Sequence, residues 1–352
     1  MSDFLKKYQK VPVKIYPNSV PKNPVVSVIV QTYQHVDYIS ACLDGITMQK
    51  TDFSYEILLG EDESIDGTRE ICLQYAKKYP DKIRLFLHSR SNVLEFDEKP
   101  TGRFNLLWNL KYSRGKYIAI CEGDDYWIDP YKLQKQVNFM EANPSYSICF
   151  HPVKIWLEEE QKLVDDYITK EVNETTYIND LILGNYIHTP SVMYRNNLFD
   201  YSSLLKNKSR VADYFLHMMN AQYGKIKKLP QIMAVYRVHR GGIWSFENER
   251  LRILTRIQLL GCLMGFMEVN DLSKIIKKNT IDSIKFQFVR FFYSNFRDEL
   301  SKEFQFFFPK EYQNFERFLN FLGAHSRISF FLLQIRFVLP WKMKDRIKKL
   351  RG

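Results

Sequence analysis

Residues 117–130 read YIAICEGDDYWIDP, and this stretch decides the fold. Its first five residues, Tyr117 to Cys121, form an apolar run with the length and β-branched content of a buried parallel strand. Asp124 and Asp125 follow at the carboxyl end of that strand, which is where open α/β sheets bind their ligands. Adjacent carboxylates repel one another unless a cation lies between them. The turn therefore predicts a site for a hard divalent ion that carries a nucleotide diphosphate.

The chain before this stretch alternates short apolar runs with segments of helical spacing. Predicted strands cover residues 24–31, 55–59 and 83–87, and Tyr117 begins the fourth. Predicted helices follow the first and the second strand, and the later helix begins near Asp66. Strands that alternate with helices indicate a parallel, doubly wound α/β sheet.

Two of these strands end in clusters of acidic residues. Glu61, Asp62 and Glu63 follow the second strand, and Asp124 and Asp125 follow the fourth. Because parallel strands end at a common rim, we expect both clusters at the same rim. The chain has neither G-x-G-x-x-G nor G-x-x-x-x-G-K-[ST] to hold phosphates with backbone amides. A metal ion is therefore the predicted holder of the phosphates, although the acidic turn alone is equally typical of a helix N-cap.

Five motifs, taken in chain order, resemble those of inverting family 2 glycosyltransferases with the GT-A fold. They are VSVIVQTYQHVDYISACLDGI (26–46), EILLGEDESIDGT (56–68), GKYIAICEGDDYW (115–127), ADYFL (212–216) and YRVHRGGIWS (236–245). The resemblance covers residues 24–245 and implies the α/β GT-A fold, in which helices flank a Rossmann-like, largely parallel mixed sheet. It also implies single-displacement transfer from a nucleotide-sugar, usually UDP-linked, with Mg²⁺ or Mn²⁺ and with inversion at the anomeric carbon.

The resemblance assigns roles to residues in the first half of the chain. Thr32 and Tyr33 are implied to line the nucleoside pocket, and Asp62 is implied to bind the uracil imide. Asp124 and Asp125 match the acidic pair that binds the metal ion. In this pattern Asp125 is the direct ligand, whereas Asp124 lies nearer the ribose and the metal-bound waters.

Some positions depart from the commoner pattern of the family. Gln34 stands where Asn is frequent, and Glu61 to Ser64 replace a more usual Asp-Asp-Gly-Ser. These differences leave the identity of the nucleobase open. Glu122 and Asp124 also form an acid-x-acid pair, so the choice of carboxylates that contact the ion stays open as well.

Five residues outside the acidic clusters are further candidates for the predicted site. Asp213 matches the catalytic base, which takes the proton of the acceptor hydroxyl, and its alternative role is a first-turn acid of a helix. His239 matches a histidine that contacts the metal ion or the diphosphate, and its alternative role is structural. Arg237 and Arg240 beside it suit phosphate oxygens. Arg103 stands where related enzymes often contact the donor, and a plain helix start is the alternative.

Composition and cysteine usage limit the class of protein. The chain has 352 residues, 45% of them hydrophobic, which is enough to bury one large core or two modest ones. Five scattered cysteines, an odd number, indicate reduced core thiols and a cytoplasmic location. Residues 1–14 are polar and basic, unlike a signal peptide, and no uninterrupted apolar run is long enough to span a bilayer. Processive polysaccharide synthases of the resembled family carry such spans and a Gln-x-x-Arg-Trp motif, and this sequence has neither. The resemblance therefore favours transfer of one sugar per encounter.

The predicted organisation has three parts: an N-terminal arm at 1–23, a catalytic GT-A domain at 24–247, and a helical, aromatic and basic extension at 248–352. Residues 341–352 contain six Lys or Arg residues and one acid, which gives +5 of the formal net charge of +11. Such a tail is expected to bind the anionic inner leaflet, where lipid-linked acceptors are presented. Packing on the catalytic domain is the alternative. Nucleic acid is not an expected partner, because no nucleic-acid-binding motif accompanies the basic residues.

The sequence thus predicts a metal-dependent, inverting glycosyltransferase. Its expected acceptor is a saccharide or a polyprenyl-diphosphate-linked saccharide in the assembly of a surface polysaccharide, O-antigen or capsule. Two alternatives stay open. A sugar-nucleotide nucleotidyltransferase is expected to carry an N-terminal Gly-rich loop with Arg and Lys, which VQTYQHVD (30–37) lacks. A noncatalytic nucleotide-sugar or glycan-binding protein is not expected to retain Asp62, Asp125, Asp213 and His239 together.

Overall fold

A computed structural model of the chain describes residues 2–96, 99–206, 211–242, 249–263, 266, 274, 277–278, 281, 296–307 and 312–313. The chain divides into two compact units, Met1–Phe246 and Glu247–Gly352. All residues of the predicted site belong to the first unit.

A large mixed sheet forms the centre of the first unit. The described strands are β1 (Lys14–Ile15), β2 (Val26–Thr32), β3 (Tyr55–Glu61), β4 (Ile83–Leu87), β5 (Leu94–Phe96), β6 (Lys99–Thr101), β7 (Tyr117–Ile120), β8 (Tyr126–Trp127), β9 (Tyr146–Phe150), β10 (Val153–Leu157), β11 (Lys162–Asp165), β12 (Thr175–Thr176), β13 (Met193–Arg195), β14 (Lys225–Lys228) and β15 (Ala234–Val238). Nine of these described strands form the central sheet, in the order β1-β4-β3-β2-β7-β13-β9-β14-β12. Strands β5 and β6 pair with each other.

The parallel strands β4, β3, β2 and β7 account for the continuous apolar runs of the sequence. β2 pairs in parallel with β3 on one side and with β7 on the other. Val28 and Ile57, on neighbouring strands, are completely buried. Strands that are covered on both faces of a sheet bury every residue, so polar and apolar residues do not alternate along them. The α/β architecture predicted from the sequence is confirmed.

Helices connect and cover these strands. The described helices are α1 (Ser2–Tyr8), α2 (Ile39–Thr47), α3 (Thr68–Lys78), α4 (Arg103–Tyr112), α5 (Lys132–Ala142), α6 (Ile178–Leu181), α7 (Asp213–Ala221), α8 (Glu249–Leu263) and α9 (Phe296–Phe307). Short 3₁₀ helices cover Arg90–Asn92, Thr189–Ser191 and Tyr201–Lys206. α2 buries Ile39, Leu43 and Ile46, which repeat at helical spacing and join the core beside the sheet.

A second, four-stranded sheet has the order β11-β10-β15-β8 and shapes the site. β8 pairs antiparallel with β15, so that Val235 lies opposite Tyr126. β15 also pairs in parallel with β10. Asp125 precedes β8 and His239 follows β15. Because the two strands run in opposite directions, the start of one meets the end of the other, and the two residues come together.

In the second unit, α8 and α9 are the longer described elements. Leu259, Leu260 and Leu263 of α8 are buried, as are Leu300 and Phe304 of α9. The predicted helical character is confirmed for this part of the C-terminal region. None of the helices that the structure describes is both long and apolar enough to cross a membrane. The predicted basic tail at 341–352 lies outside the described residues.

Candidate functional site

The acidic turn, defined as Glu122 to Asp125, lies between β7 and β8 at the rim of the central sheet. Asp125 is buried, and its Oδ1 accepts a hydrogen bond from the backbone N–H of Arg237 at 2.8 Å. Nε of Arg237 donates to the backbone carbonyl of Asp124 at 2.9 Å. Arg237 therefore fixes the turn to β15 and holds Asp124 beside His239.

Asp124 and His239 make direct contact at this rim. Nε2 of His239 lies 3.0 Å from Oδ2 of Asp124, and the His239 ring packs on Tyr38 with the ring centroids 4.7 Å apart. Burial favours the neutral form of Asp124, but the hydrogen bond from His239 and the nearby His35 hold its pKa below the ordinary value. Asp124 is therefore ionised at neutral pH and is available as an oxygen ligand for a cation.

The pKa values of the other two carboxyl groups of the turn, those of Glu122 and Asp125, are shifted in the opposite direction. Burial raises the pKa of Glu122 to about 8, and the charges of Asp124 and Asp213 add to this effect. Nε2 of Gln31 opposes it by donating to the Glu122 carboxylate at 3.0 Å. Burial and the charge of Asp124 also raise the pKa of Asp125. Carboxylates that repel one another in this way indicate a place where a cation would relieve the repulsion.

Asp62, Arg90 and Tyr33 form a second polar group at the same rim, beyond the end of β3. Asp62 is 4% exposed, and its Oδ2 lies 3.2 Å from Nη1 of Arg90. The Arg90 guanidinium lies over the Tyr33 ring, 4.1 Å from its centroid, and Tyr33 is exposed. Burial raises the pKa of Asp62 to about 6, although Arg90 opposes the shift. An exposed ring beside a carboxylate and a guanidinium suits a planar base that stacks and forms hydrogen bonds.

Residues that depart from the commoner family pattern hold this second group in place. Gln34 and Glu63 both have a left-handed backbone, with φ of 56° and 62°. Oε1 of Gln34 accepts the N–H of Ile65 at 3.0 Å, and the Glu63 carboxylate accepts the N–H of Arg90 at 2.5 Å. A non-glycine residue in this conformation is strained unless its surroundings hold it. The two side chains therefore fix the loop that carries Asp62 and keep Arg90 next to it.

Three buried polar atoms near the acidic turn have no hydrogen-bond partner among the residues that the structure describes. They are Oε1 of Gln31, Oγ1 of Thr32 and Nδ1 of His35. A Cβ on Gly123 would lie 2.7 Å from Oγ1 of Thr32 and 2.8 Å from Nδ1 of His35. Buried polar atoms without partners are rare in native proteins. A polar ligand at the turn would supply the missing partners.

The acidic turn fits a divalent cation that arrives with a ligand. Within the described ranges, no group of three or more His, Cys, Asp or Glu side chains is arranged to hold a metal ion. Mg²⁺ in nucleotide sites does not need such a cage, because one or two carboxylates and the substrate phosphates complete its shell. Asp124 supplies a carboxylate, and His239 supplies a nitrogen 3.0 Å away.

Asp213 is the first residue of α7 and is half-buried. Its Oδ2 accepts a hydrogen bond from Oγ1 of Thr189 at 3.2 Å, and its Oδ1 accepts the N–H of Tyr214 at 2.7 Å. The charge of Asp213 contributes to the raised pKa of Glu122. The role of Asp213 as the base stays a prediction.

A family model described as Glycosyl transferase family 2 matches residues 27–201. The chain belongs to glycosyl transferase family 2. The predicted family is thereby confirmed. The matched region contains the acidic turn and Asp62, whereas Asp213 and His239 lie beyond it.

Several curated proteins and solved structures are similar to this family 2 chain. An uncharacterized protein of Mycobacterium tuberculosis (strain H37Rv) is 35% identical over 219 residues, covering 62% of this chain and 60% of that protein. The putative teichuronic acid biosynthesis glycosyltransferase TuaG of Bacillus subtilis (strain 168) is 26% identical over 249 residues, covering 66% and 91%. The crystal structure of S. aureus TarS 1-349 in complex with UDP-GlcNAc is similar with a TM-score of 0.53, 18% identity and 80% of each chain covered. The likeness to this structure confirms the predicted GT-A fold. The chain spans less than two thirds of the length of the mycobacterial relative.

Arg103 and Asn105 lie in the family 2 domain at the start of α4. Arg103 is buried, and its Nη1 donates to the backbone carbonyl of Leu204 at 3.2 Å. Nδ2 of Asn105 donates to the backbone carbonyl of Gly60 at 2.8 Å, which joins α4 to β3. Contact of Arg103 with the donor stays a prediction, because the observed contacts serve to fix α4.

The two arginines beside His239 have protein partners in the structure. Arg237 pairs with Glu158, and its guanidinium lies 4.7 Å from the centroid of the Tyr38 ring. Nε of Arg240 lies 3.2 Å from Oε1 of Glu159. The sequence pattern suits both arginines to phosphate oxygens, whereas the structure gives Arg237 the role of joining the acidic turn to β15.

Three residues of the site carry no clear signal in the sequence. Arg90 belongs to a polar stretch that resembles any loop, and only the folded chain places it on Asp62. Gln31 reads as the last residue of an apolar strand, yet its side chain reaches Glu122. Thr189 precedes a proline, and no sequence pattern pairs its hydroxyl with Asp213, which it contacts in the fold. Long-range contacts of this kind depend on the whole fold.

Replacement of Gly123 with Ala is expected to damage the acidic turn. The new methyl group would approach Thr32 and His35 more closely than Cβ atoms do, so the chain must shift. We expect a loss of about 1–3 kcal/mol in the free energy of unfolding, measured by urea denaturation. Gly102→Ala is the matched control, because its nearest atom would lie at 3.3 Å and its φ is −72°. Equal stability of both variants would contradict the prediction.

Proposed function

We propose that the protein is an inverting glycosyltransferase that transfers one sugar from a UDP-sugar to a saccharide acceptor. The order of three polar groups along one rim carries this proposal. Asp62 follows β3, the acidic turn follows β7, and Asp213 begins α7, which packs against β9 on the far side of β7. A nucleotide-sugar carries its base, its diphosphate and its sugar in the same order. Each polar group suits one of these parts.

The group around Asp62 is the proposed site for the nucleobase. The Asp62 carboxylate would accept the imide N–H of uracil, Arg90 would donate to a neighbouring carbonyl, and the Tyr33 ring would stack on the base. Cytosine presents a bare ring nitrogen at the imide position, which would leave Asp62 without a donor. Guanine does present an N–H beside a carbonyl, so GDP is the nucleotide to compare with UDP. The complex of TarS with UDP-GlcNAc supports uracil.

Mg²⁺ or Mn²⁺ is the proposed cofactor, and Asp124 and His239 are the residues that would hold it. When bound, such an ion offsets the charge of the diphosphate leaving group. The sequence pattern gives the direct contact to Asp125. We propose Asp124 instead, because Oδ1 of Asp125 is engaged by the N–H of Arg237 while Asp124 lies beside His239. Asp125 then serves to hold the turn in place.

Asp213 is the proposed base of the transfer. Its carboxylate would take the proton of the acceptor hydroxyl as that oxygen attacks the anomeric carbon from the face opposite the diphosphate. A diphosphate needs no separate acid to leave when its charge is offset. Thr32, with its unpartnered Oγ1 beside Gly123, would contact the nucleotide between the base and the diphosphate.

The proposed acceptor is a saccharide of the cell surface, carried on a polyprenyl diphosphate. The similarity to TuaG, a putative teichuronic acid biosynthesis glycosyltransferase, supports a role in surface polysaccharide assembly. We propose a place at the cytoplasmic face of the membrane, with residues 341–352 on anionic lipid. These tail residues lie outside the described part of the chain, and their basic composition supports the proposal.

The pH dependence of UDP binding is a test of the role of Asp62. Because burial raises the pKa of Asp62 to about 6, the carboxyl group is mostly protonated at pH 5 and ionised at pH 7.5. The ionised form accepts the imide N–H more strongly than the neutral carboxyl group does, so we expect UDP to bind about tenfold more weakly at pH 5. Calorimetry at both pH values measures this difference for the parent and for Asp62→Asn. Because the titration of UDP itself affects both proteins equally, it cancels when the two are compared. The same pH profile in both proteins would contradict the assignment.

The proposed activity is tested with a panel of UDP-glucose, UDP-galactose, UDP-GlcNAc and UDP-GalNAc. We expect the protein to release UDP from one of them in the presence of Mn²⁺, slowly with water and faster with a polysaccharide-derived acceptor. A product of inverted anomeric configuration, read by NMR, is the expected outcome of single displacement. UDP binding without release from any of the four sugars would favour a noncatalytic binding protein.

A further inference from the structure

Thr189 holds the carboxylate of Asp213 in one orientation. Oγ1 of Thr189 donates to Oδ2 of Asp213 at 3.2 Å, and the backbone N–H of Tyr214 donates to Oδ1 at 2.7 Å. Thr189 is 9% exposed, so water has little access with which to replace this contact. Both oxygens of Asp213 therefore have a donor that limits rotation of the carboxylate, and each oxygen keeps a lone pair for a proton.

The backbone that carries Thr189 is fixed by side chains from β8 and α5. Nε1 of Trp127 donates to the carbonyl of Pro190 at 2.9 Å, and Nε2 of Gln136 donates to the carbonyl of Ser191 at 2.9 Å. Trp127, Pro190 and Ser191 are buried, and the 3₁₀ conformation of Thr189–Ser191 is short. Buried hydrogen bonds on two successive carbonyls make this segment a rigid support.

His188 fixes the same segment from the other side. Nε2 of His188 lies 3.0 Å from Oδ2 of Asp166, and its ring packs on Tyr236 with the ring centroids 4.9 Å apart. Oγ and the N–H of Ser191 both donate to the carbonyl of His188, at 2.7 and 3.0 Å, and close the turn. Thr189 therefore sits in a segment that is held at both of its ends.

We propose that Thr189 is a positioning residue for Asp213 and that its segment sets the position of the base relative to the acidic turn. Trp127 follows Asp125 by two residues, so the contacts from Trp127 through Pro190 and Thr189 reach from the turn to Asp213. A base must lie within hydrogen-bond reach of the acceptor hydroxyl while that oxygen faces the anomeric carbon, and small displacements are costly. The inference rests on the proposed function, because it takes Asp213 as the base.

The variants Thr189→Val and Thr189→Ser separate the effect of the hydroxyl group on kcat from the effect of the shape of the side chain. With the UDP-sugar that the parent turns over fastest, we expect Thr189→Val to lower kcat about 10- to 100-fold, the range that hydrogen bonds to charged groups cover. We expect unchanged UDP affinity, because Thr189 lies outside the nucleotide groups. Thr189→Ser is expected to retain most of kcat. Thr47→Val is the matched control, since it removes a hydroxyl that donates to the Leu43 carbonyl at the end of α2.

A double-variant cycle decides whether Thr189 acts through Asp213. If it does, Asp213→Asn with Thr189→Val is no slower than Asp213→Asn alone, because the hydroxyl has no base left to orient. Effects on kcat that multiply would overturn the proposal, as would a Thr189→Ser variant as slow as Thr189→Val. The cycle also identifies a Thr189→Val protein that is slow only because it is poorly folded. Such a folding defect would lower the kcat of the double variant below that of Asp213→Asn. A parent protein that releases UDP from no sugar would overturn the proposed function, and this inference with it.

Discussion

Replacement of Asp213 with Asn is expected to lower kcat by about 10²- to 10⁴-fold, the range that a positioned general base contributes. The amide is nearly isosteric and still accepts the hydroxyl hydrogen of Thr189, so the local structure is expected to persist. It cannot take the proton of the acceptor hydroxyl. UDP binding is expected to stay at the parent level, because Asp213 belongs to the acceptor side of the rim. UDP release and calorimetry measure the two quantities.

The alternative role of Asp213, a first-turn acid of α7, predicts a different outcome. A first-turn carboxylate stabilises a helix by about 0.3–1 kcal/mol, so its loss would lower stability and leave kcat unchanged. Glu70→Gln is the matched control, because Glu70 is an exposed acid in the first turn of α3. An Asp213→Asn protein that behaves like Glu70→Gln, less stable but fully active, would remove Asp213 from the chemistry.

Replacement of Asp124 with Asn is expected to abolish the contribution of Mn²⁺ to UDP binding. The Asp124 carboxylate is kept ionised by His239 and His35, and a neutral amide is a much poorer ligand for a hard cation. Since such an ion contributes several kcal/mol at a diphosphate, we expect a loss of at least about 100-fold in UDP affinity with Mn²⁺. Without Mn²⁺, the variant and the parent are expected to bind UDP alike.

Asp125→Asn is the matched comparison for Asp124→Asn. The Asn side chain keeps an oxygen that accepts the N–H of Arg237, so the turn is expected to stay attached to β15. It also removes a carboxyl group whose pKa is raised by burial and by Asp124. We therefore expect Asp125→Asn to retain Mn²⁺-dependent binding. If Asp125→Asn loses that dependence and Asp124→Asn retains it, the direct ligand is Asp125, as the family pattern indicates.

The sequence alone predicted the four parallel strands β4, β3, β2 and β7 of the central sheet closely. The predicted strand at 83–87 has the same bounds in the structure, and the strand predicted from Tyr117 ends one residue earlier, at Ile120. The second predicted strand extends two residues further, to Glu61. These strands are buried on both faces, so their apolar runs are uninterrupted and easy to recognise. Their common rim follows from parallel pairing, which is why the position of both acidic clusters at that rim was also predictable.

Contacts between distant parts of the chain could not be derived in the same way. His239 meets Asp124 across 115 positions, through the antiparallel pairing of β8 with β15. β8 has two residues, too few for any periodic pattern, so the sequence does not reveal this pairing. The resemblance to the family supplied His239 as a candidate residue, and the fold supplied its partner.

Polar side chains with two plausible roles also limit what can be predicted from the sequence. From the sequence, Arg103 suits both a contact with the sugar donor and the start of a helix. In the folded chain it is buried, and its guanidinium donates to the Leu204 carbonyl. Arg237 has a similar ambiguity, and its pairing with Glu158 and the acidic turn depends on the second sheet. Local sequence carries no information about which of several long-range partners such a side chain meets.

Calorimetric titration with UDP, GDP and CDP, each with and without Mn²⁺, tests most directly whether this rim is a nucleotide site that depends on a metal ion. We predict that UDP binds most tightly, that its binding depends on Mn²⁺, and that CDP binds poorly because its ring nitrogen at the imide position carries no hydrogen for Asp62 to accept. Tighter binding of GDP than of UDP would contradict the proposed base. Binding that ignores Mn²⁺, or no binding of any of the three, would contradict the site itself and leave Asp124 and Asp125 with a structural role.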